Sequence, residues 1–334
     1  MKPVWKKDAF FYIKAAANEP SLLSSVGDNP FINSMEREIE ELLRLPEHRA
    51  IAVSSATAGM VAVLRSLGIT TGDEVIVPAF SWGQTLNPVL EVGATPVFVD
   101  VEEGGVNLDL SSVESARTKQ TKAILAAELF GIPLDWKRLN AIAHRTGLFT
   151  IVDAAQSFGA IHEKPLPTAV VFSFGRGKII CGGEGGAVLV QSDEAYDAVL
   201  LASQHPIRVL QNSLTNLPFE LADSVAPNAR IHPFAAALVT SEIKSFRRHY
   251  EQYRKRILTV RDKLKEEGFT PVPVPSSAFQ APSVIPVLTD EEERLLDFGK
   301  AYRLEVKKCS QKPLVLLPTV KRREYLPVLG HLGK

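Results

Sequence analysis

From about residue 50 to 191, short apolar runs alternate with segments of helical period. The runs 50–54, 74–78, 96–100, 122–129, 149–154, 169–174 and 186–191 read as strands. Several are apolar at successive positions, as expected of parallel strands covered on both faces. Between them, 57–67, 134–145 and 194–203 place apolar residues at helical spacing. This rhythm predicts a layered α/β domain. In such domains ligands collect in the loops that follow the carboxyl ends of the strands.

The rhythm changes after residue 205. The run 206–233 carries Pro206, Pro218, Pro227 and Pro233 and shows no clear period. A long charged helix is predicted over 234–267, ended by Gly268. The segment 269–282 holds four prolines and reads as irregular or edge strand. A strand-like stretch at 283–289, a charged helix at 290–306 and a short strand at 314–317 complete the pattern. The expected division is a large domain over 1–210 and a smaller one over 211–334 that includes the long helix.

Composition narrows the function. Lys plus Arg and Asp plus Glu both number 38, so the formal charge is zero. That argues against a broad basic footprint for nucleic acid or an anionic membrane. No apolar run reaches the roughly 18 residues of a membrane helix. The opening MKPVWKKDAFFYIKAAANEP lacks the apolar core of a secretory signal. Two cysteines, Cys181 and Cys309, cannot build a disulfide framework or a four-cysteine zinc site. The expectation is a cytoplasmic protein with no metal.

Four elements could carry chemistry. Asp153 ends the apolar run FTIVD, where a carboxylate is costly unless a cation meets it. It reads either as a helix cap or ion-pair partner, or as a carboxylate facing a protonated ring nitrogen. Lys178 follows the next run, among Gly175, Gly177, Gly182, Gly183, Gly185 and Gly186. It is either a surface lysine or a partly desolvated amine able to attack an aldehyde. Asp and Lys on neighbouring strand ends are the pairing that pyridoxal phosphate (PLP) requires. Ser55, Ala56 and Thr57 open a helix after the run AIAVS, either as plain capping residues or as a phosphate cradle. Trp82, just past GDEVIVP, is either a core tryptophan or a ring that stacks on a planar ligand.

Taken together, SSATAG, GDEVIVPAFSW, VGATPVFVDV, TKAILAAELFG, VDAAQSFGA, FSFGRGK and GGEGGAV resemble, in order and spacing, the DegT/DnrJ/StrS family of PLP-dependent sugar aminotransferases. The resemblance covers at least 40–205. It implies the aspartate aminotransferase fold, fold type I: a large domain with a mostly parallel seven-stranded sheet and a small C-terminal α/β domain. It implies that Lys178 forms the Schiff base and moves the substrate proton, and that Asp153 sits on the pyridine nitrogen. Gln156 then lies beside the ring oxygen, Trp82 stacks on the ring, and Ser55, Ala56, Thr57 and Ser173 hold the phosphate. Asn228 matches the asparagine that the family reaches across a homodimer to its neighbour's phosphate. The implied reaction moves an amino group from glutamate or glutamine to a keto-sugar or related ketone.

The chain departs from the pattern at several places. Ile179 replaces an asparagine after the lysine, and Arg176 intrudes between glycines. Glu128 stands where the family has histidine, and Ala226-Pro227 precede Asn228. Only 66 residues follow Gly268, so the small domain is expected to be shortened. These changes leave open a PLP reaction of another type, such as elimination or carbon–carbon chemistry on a non-sugar substrate. A non-catalytic scaffold of the same fold is the third alternative. His205 and His232, each followed by proline, are minor catalytic candidates. His162 has no partner at metal spacing.

Overall fold

The computed structural model describes residues 14–309 apart from 16–17, 44–48, 161, 163, 219, 221–227 and 277. The strand expected at 314–317 and the Ala226-Pro227 pair lie outside the described residues.

Seven strands form one sheet: β1 (Arg49–Val53), β2 (Glu74–Pro78), β3 (Thr95–Val99), β4 (Thr121–Ala127), β5 (Phe149–Asp153), β6 (Ala169–Ser173) and β7 (Gly186–Val190). Their order is β1-β7-β6-β5-β4-β2-β3. β7 runs antiparallel to both neighbours, and the remaining pairs are parallel. All seven runs of the sequence pattern are strands, with ends that differ by at most two residues and with 74–78 matched at both ends.

Helices cover both faces, which explains why the strands are apolar on both sides. One face packs under α2 (Ala56–Ser66) and α3 (Gly83–Glu91), with Met60, Leu64, Leu86 and Val89 against Val53, Val77, Leu125 and Val171. The other packs under α1 (Pro30–Leu43), with Ile32, Met35 and Ile39 against Ala50, Ala52 and Leu189. On the large-sheet edge, α4 is a single turn (Val113–Ala116), and α5 (Trp136–Thr146) continues that second layer. α6 (Asp193–Ser203) lies beside α2 on the first face. Removing each fully buried aliphatic side chain from water contributes about 1.5–3 kcal/mol.

β1 lies at an edge of the sheet, where unpaired backbone groups invite wrong partners. Here Glu36 and Glu40 of α1 cover it: Ala52 N–H donates to Glu36 Oε1 at 2.7 Å, and Ala50 N–H to Glu40 Oε1 at 2.9 Å. The Ala52 carbonyl accepts from Gln204 Nε2 at 3.3 Å. Arg208, 1% exposed, joins the two by donating to Glu36 at 2.5 Å and to Gln204 Oε1 at 2.9 Å.

The run 206–233 is not irregular throughout. Pro206 starts the short helix α7 (Pro206–Asn212), and Pro233 starts α8 (Pro233–Glu266). Proline suits a first helical position because its missing N–H is one no helix would use. The two histidine candidates are N-caps: His205 Nδ1 accepts from Ile207 N–H and His232 Nδ1 from Phe234 N–H, both at 3.2 Å. The expected strand at 283–289 is reduced to one bridge, Pro271 with Val287. The prolines of 269–282 offer few amides to a ladder. The final described helix, α9, spans Glu292–Tyr302. It closes on α8 through Leu264, Phe269 and Phe298.

Candidate active site

β5 carries Asp153 to the carboxyl edge of the sheet and buries it there. Thr85 of α3 donates to Asp153 Oδ2 at 2.7 Å, and Ala155 N–H donates to Oδ1 at 3.1 Å. Thr85 has one hydroxyl proton and gives it to Asp153, so Ser81, 2.8 Å away, is the donor in the Ser81–Thr85 pair. Burial pushes the Asp153 carboxyl above its usual range. The Thr85 and Ala155 hydrogen bonds and the Lys178 charge pull it down, while Glu128 pushes it up.

Lys178 sits in the connection from β6 to β7, its amide bonded to the Gly175 carbonyl at 3.2 Å. Gly182 N–H returns to the Phe174 carbonyl at 2.9 Å and closes the loop. The Lys178 side chain is half-buried and its amine has no hydrogen-bond or ion-pair partner among the described residues. Burial lowers its pKa from the ordinary lysine value, and Asp153 opposes the shift. A desolvated amine within the field of a carboxylate is a nucleophile held ready for a carbonyl carbon.

The third part is built around Gly186. It pairs with Val53 of β1 on one side and Ser173 of β6 on the other. A Cβ here would lie 2.7 Å from both Ala56 N and the Ser55 carbonyl carbon, so only glycine lets the start of α2 come this close. Ser55 caps α2 by accepting from Ala58 N–H at 3.1 Å. The amides of Ala56 and Thr57 stay without intrahelical acceptors and carry the positive end of the helix dipole. Ser55, Ala56 and Ser173 thereby meet around one glycine, with Thr57 next along the helix, an arrangement whose free amides suit an anion.

The remaining expected residues are placed as follows. Gln156, just past Asp153, accepts from Phe130 N–H through Oε1 at 2.9 Å. Trp82 stands before α3 and is 49% exposed, so it is no core tryptophan. Asn228 is exposed and accepts from Arg230 Nε at 2.7 Å. Its neighbour Ala229 is fixed by bonds to Ser54 and Ser203 backbone groups. Arg176 and Glu184 are exposed in the lysine loop.

Sequence reasoning passes over Thr85 and the partners of Glu128. Glu128 is buried behind the Asp153 strand end, and its N–H donates to the Asp153 carbonyl at 3.0 Å. Its Oε1 accepts from Leu134 N–H and Trp136 Nε1, each at 3.0 Å, and lies 2.6 Å from His162 Nε2. Ser157 donates to Oε2. His162 stacks on Trp136 with 3.6 Å between ring centres. The partners lie 6 to 34 residues away in sequence, so no local motif announces them.

The parts fit PLP. A buried carboxylate calls for a cation of the kind a protonated pyridine ring provides, an unpartnered amine stands near it, and helix amides wait for an anion. The seven-stranded, mostly parallel sheet with one reversed strand matches the fold type I class of PLP enzymes. The chain belongs to the DegT/DnrJ/EryC1/StrS aminotransferase family, whose profile matches residues 14–329. PLP is the cofactor typical of that family.

Among curated relatives, L-glutamine:2-deoxy-scyllo-inosose aminotransferase of Streptomyces lividus is 31% identical over 288 residues, 80% of this chain and 66% of that protein. UDP-2-acetamido-2-deoxy-3-oxo-D-glucuronate aminotransferase of Pseudomonas aeruginosa is 38% identical over 160 residues, 46% of this chain and 45% of its own. The chain thus spans about half to two thirds of the length of the curated relatives it matches. A DegT/DnrJ/EryC1/StrS aminotransferase structure from Brucella abortus superposes with a TM-score of 0.78 at 23% identity, covering 97% of this chain and 85% of that one. DesV of S. venezuelae superposes at 0.74 with 24% identity, covering 95% and 85%. No helix among the described residues is long and apolar enough to cross a membrane.

Proposed function

We propose that the protein is a PLP-dependent aminotransferase that moves an amino group from glutamine or glutamate to a keto-sugar or related cyclic ketone. The observation that carries the reading is the juxtaposition of buried Asp153 with the half-buried, unpartnered amine of Lys178 at the carboxyl edge of the sheet. The names of the relatives support amination of a ring ketone and glutamine as the donor.

When bound, PLP supplies the electron sink that makes an amino acid's α-proton removable. Lys178 would hold the cofactor through its Nζ and would supply the amine that takes the donor's α-proton and returns it at the next position. General acid–base work of this kind contributes about 10²–10⁴-fold. Asp153 would keep the pyridine nitrogen protonated. Ser55, Ala56, Thr57 and Ser173 would hold the phosphate, Trp82 would cover the ring, and Gln156 would serve the ring oxygen. Asn228 completes the phosphate site of a second copy in a homodimer. The exposed apolar Ile207 and Leu210, three positions apart on α7, are surface that a partner copy would cover.

The test is to supply the loaded protein with glutamine or glutamate and a panel of keto-cyclitols and nucleotide-linked keto-sugars, and to follow amine formation by mass spectrometry. Donor-dependent amination of one panel member is the expected result. Turnover of donors to elimination products with no aminated acceptor would instead select a PLP enzyme of another reaction type.

A further inference from the structure

The turn at residues 129–131 is backbone under strain. Phe130 has φ 55° and ψ 21°, and Gly131 has φ 76°. A non-glycine residue in the left-handed region persists only where its surroundings impose it. Three hydrogen bonds hold it, one from the Asp153 side and two from the C-terminal segment. From below, Phe130 N–H donates to Gln156 Oε1 at 2.9 Å. From above, Gln280 Nε2 reaches the Phe130 carbonyl at 3.4 Å, and Ala281 N–H donates to the Gly131 carbonyl at 2.9 Å. The approach needs glycine: a Cβ on Gly131 would meet the Ala281 and Ser283 side chains at 3.1 and 3.2 Å.

Gln280 is itself fixed. It is 1% exposed, its Oε1 accepts from Arg261 of α8 at 2.8 Å, and its Nε2 also donates to the Val284 carbonyl at 2.6 Å. Arg261 has a second hold on the Val272 carbonyl at 2.7 Å. The buried amide therefore has each end assigned by its partners: oxygen to a guanidinium, nitrogen to carbonyls. The same logic applies to Gln156. A backbone N–H can only donate, so Gln156 must turn its oxygen to Phe130, which leaves its Nε2 as the donor it has to offer elsewhere.

We propose that Gln280 is a positioning residue for the cofactor: by clamping the Phe130–Gly131 turn from the C-terminal segment, it orients the Gln156 amide as a donor to the ring oxygen. The proposal rests on the PLP reading above. It makes the Arg261–Gln280 pair a physical link from the long helix to the cofactor, through one strained turn.

Gln280→Glu tests the link. Glutamate keeps the acceptor for Arg261 but removes both Nε2 donors and sets a carboxylate against the Phe130 carbonyl. The expected result is faster amide hydrogen exchange across 128–132 and about three- to tenfold weaker retention of PLP, the scale of one lost hydrogen bond. A Gln156→Leu background should abolish the effect of Gln280→Glu on PLP retention, because the clamp acts through Gln156. Gln280→Met, neutral and of similar size, serves if the glutamate variant does not fold. Unchanged exchange and retention, or a retention loss equally large in the Gln156→Leu background, would overturn the proposal. A wild-type chain that takes up no PLP overturns the cofactor reading instead, and exchange across 128–132 then decides the clamp by itself.

Discussion

The hydroxyl of Thr85 donates to Asp153 Oδ2 at 2.7 Å across 68 residues of sequence. This bond and the Ala155 amide oppose the effect of burial on a carboxylate that the proposed chemistry needs ionised. Thr85→Val removes the hydrogen bond with little change of shape. The Asp153 pKa then moves further up, so the acid limb of the rate profile should shift to higher pH. A hydrogen bond to a charged group is worth about 1.5–3 kcal/mol, so a loss of roughly ten- to a hundredfold in rate is expected at the acid end. Thr85→Ser should restore most of it. A pH–rate profile of the three proteins checks this.

Gly186 is where the anion cradle is most exposed to a single change. Gly186→Ala forces a methyl against Ala56 N and the Ser55 carbonyl carbon, both backbone. Backbone cannot swing aside as a side chain can, so α2 must shift from Ser173. Overpacking of this kind costs about 1–3 kcal/mol. Thermal melting should show that loss, and equilibrium dialysis should show weaker retention of PLP and of inorganic phosphate.

Lys178 has a pH signature in the protein without cofactor. Its folded pKa is depressed below the unfolded value, so the unfolded chain binds more protons between the two. Stability must therefore rise with pH across that window. Lys178→Met has no such group, so its urea-unfolding free energy should exceed that of wild type at neutral pH. The difference should shrink as pH climbs toward the ordinary lysine value. A difference independent of pH would contradict the burial of the amine.

The β1 edge depends on a buried ion pair. Arg208→Met leaves Glu36 buried without its cation, a change that typically costs about 3–5 kcal/mol. The expected outcome is a lower urea midpoint with the donor half-reaction intact in the folded fraction, since Arg208 touches none of the proposed site residues. Exchange should quicken at Ala50 and Ala52, whose amides the glutamates hold.

The sheet and the lysine–aspartate pair are legible in the sequence because both are local. Buried strands announce themselves as apolar runs; Asp153 ends one of them and Lys178 lies in the short loop after the next. α8 is legible for the same reason, with its predicted and observed ends one residue apart. α1 lies ahead of the strand–helix alternation, although Asn29 as cap, Pro30 and the spacing of Ile32, Met35 and Ile39 mark it. The prolines of 206 and 233 read as breakers because proline also starts helices. Thr85, His162, Arg261 and Gln280 are illegible for a different reason. Each matters through a partner brought near only by the fold, and Gln280 meets Phe130 across 150 residues.

The proposed function turns on Lys178 binding the cofactor's carbonyl carbon. The most direct measurement is the visible absorption of the purified protein with PLP, before and after glutamine or glutamate, with Lys178→Ala alongside. The expected result is a visible band in the wild type that the amino donor bleaches and that Lys178→Ala lacks. A band that Lys178→Ala keeps unchanged, or no band in the wild type, would contradict it.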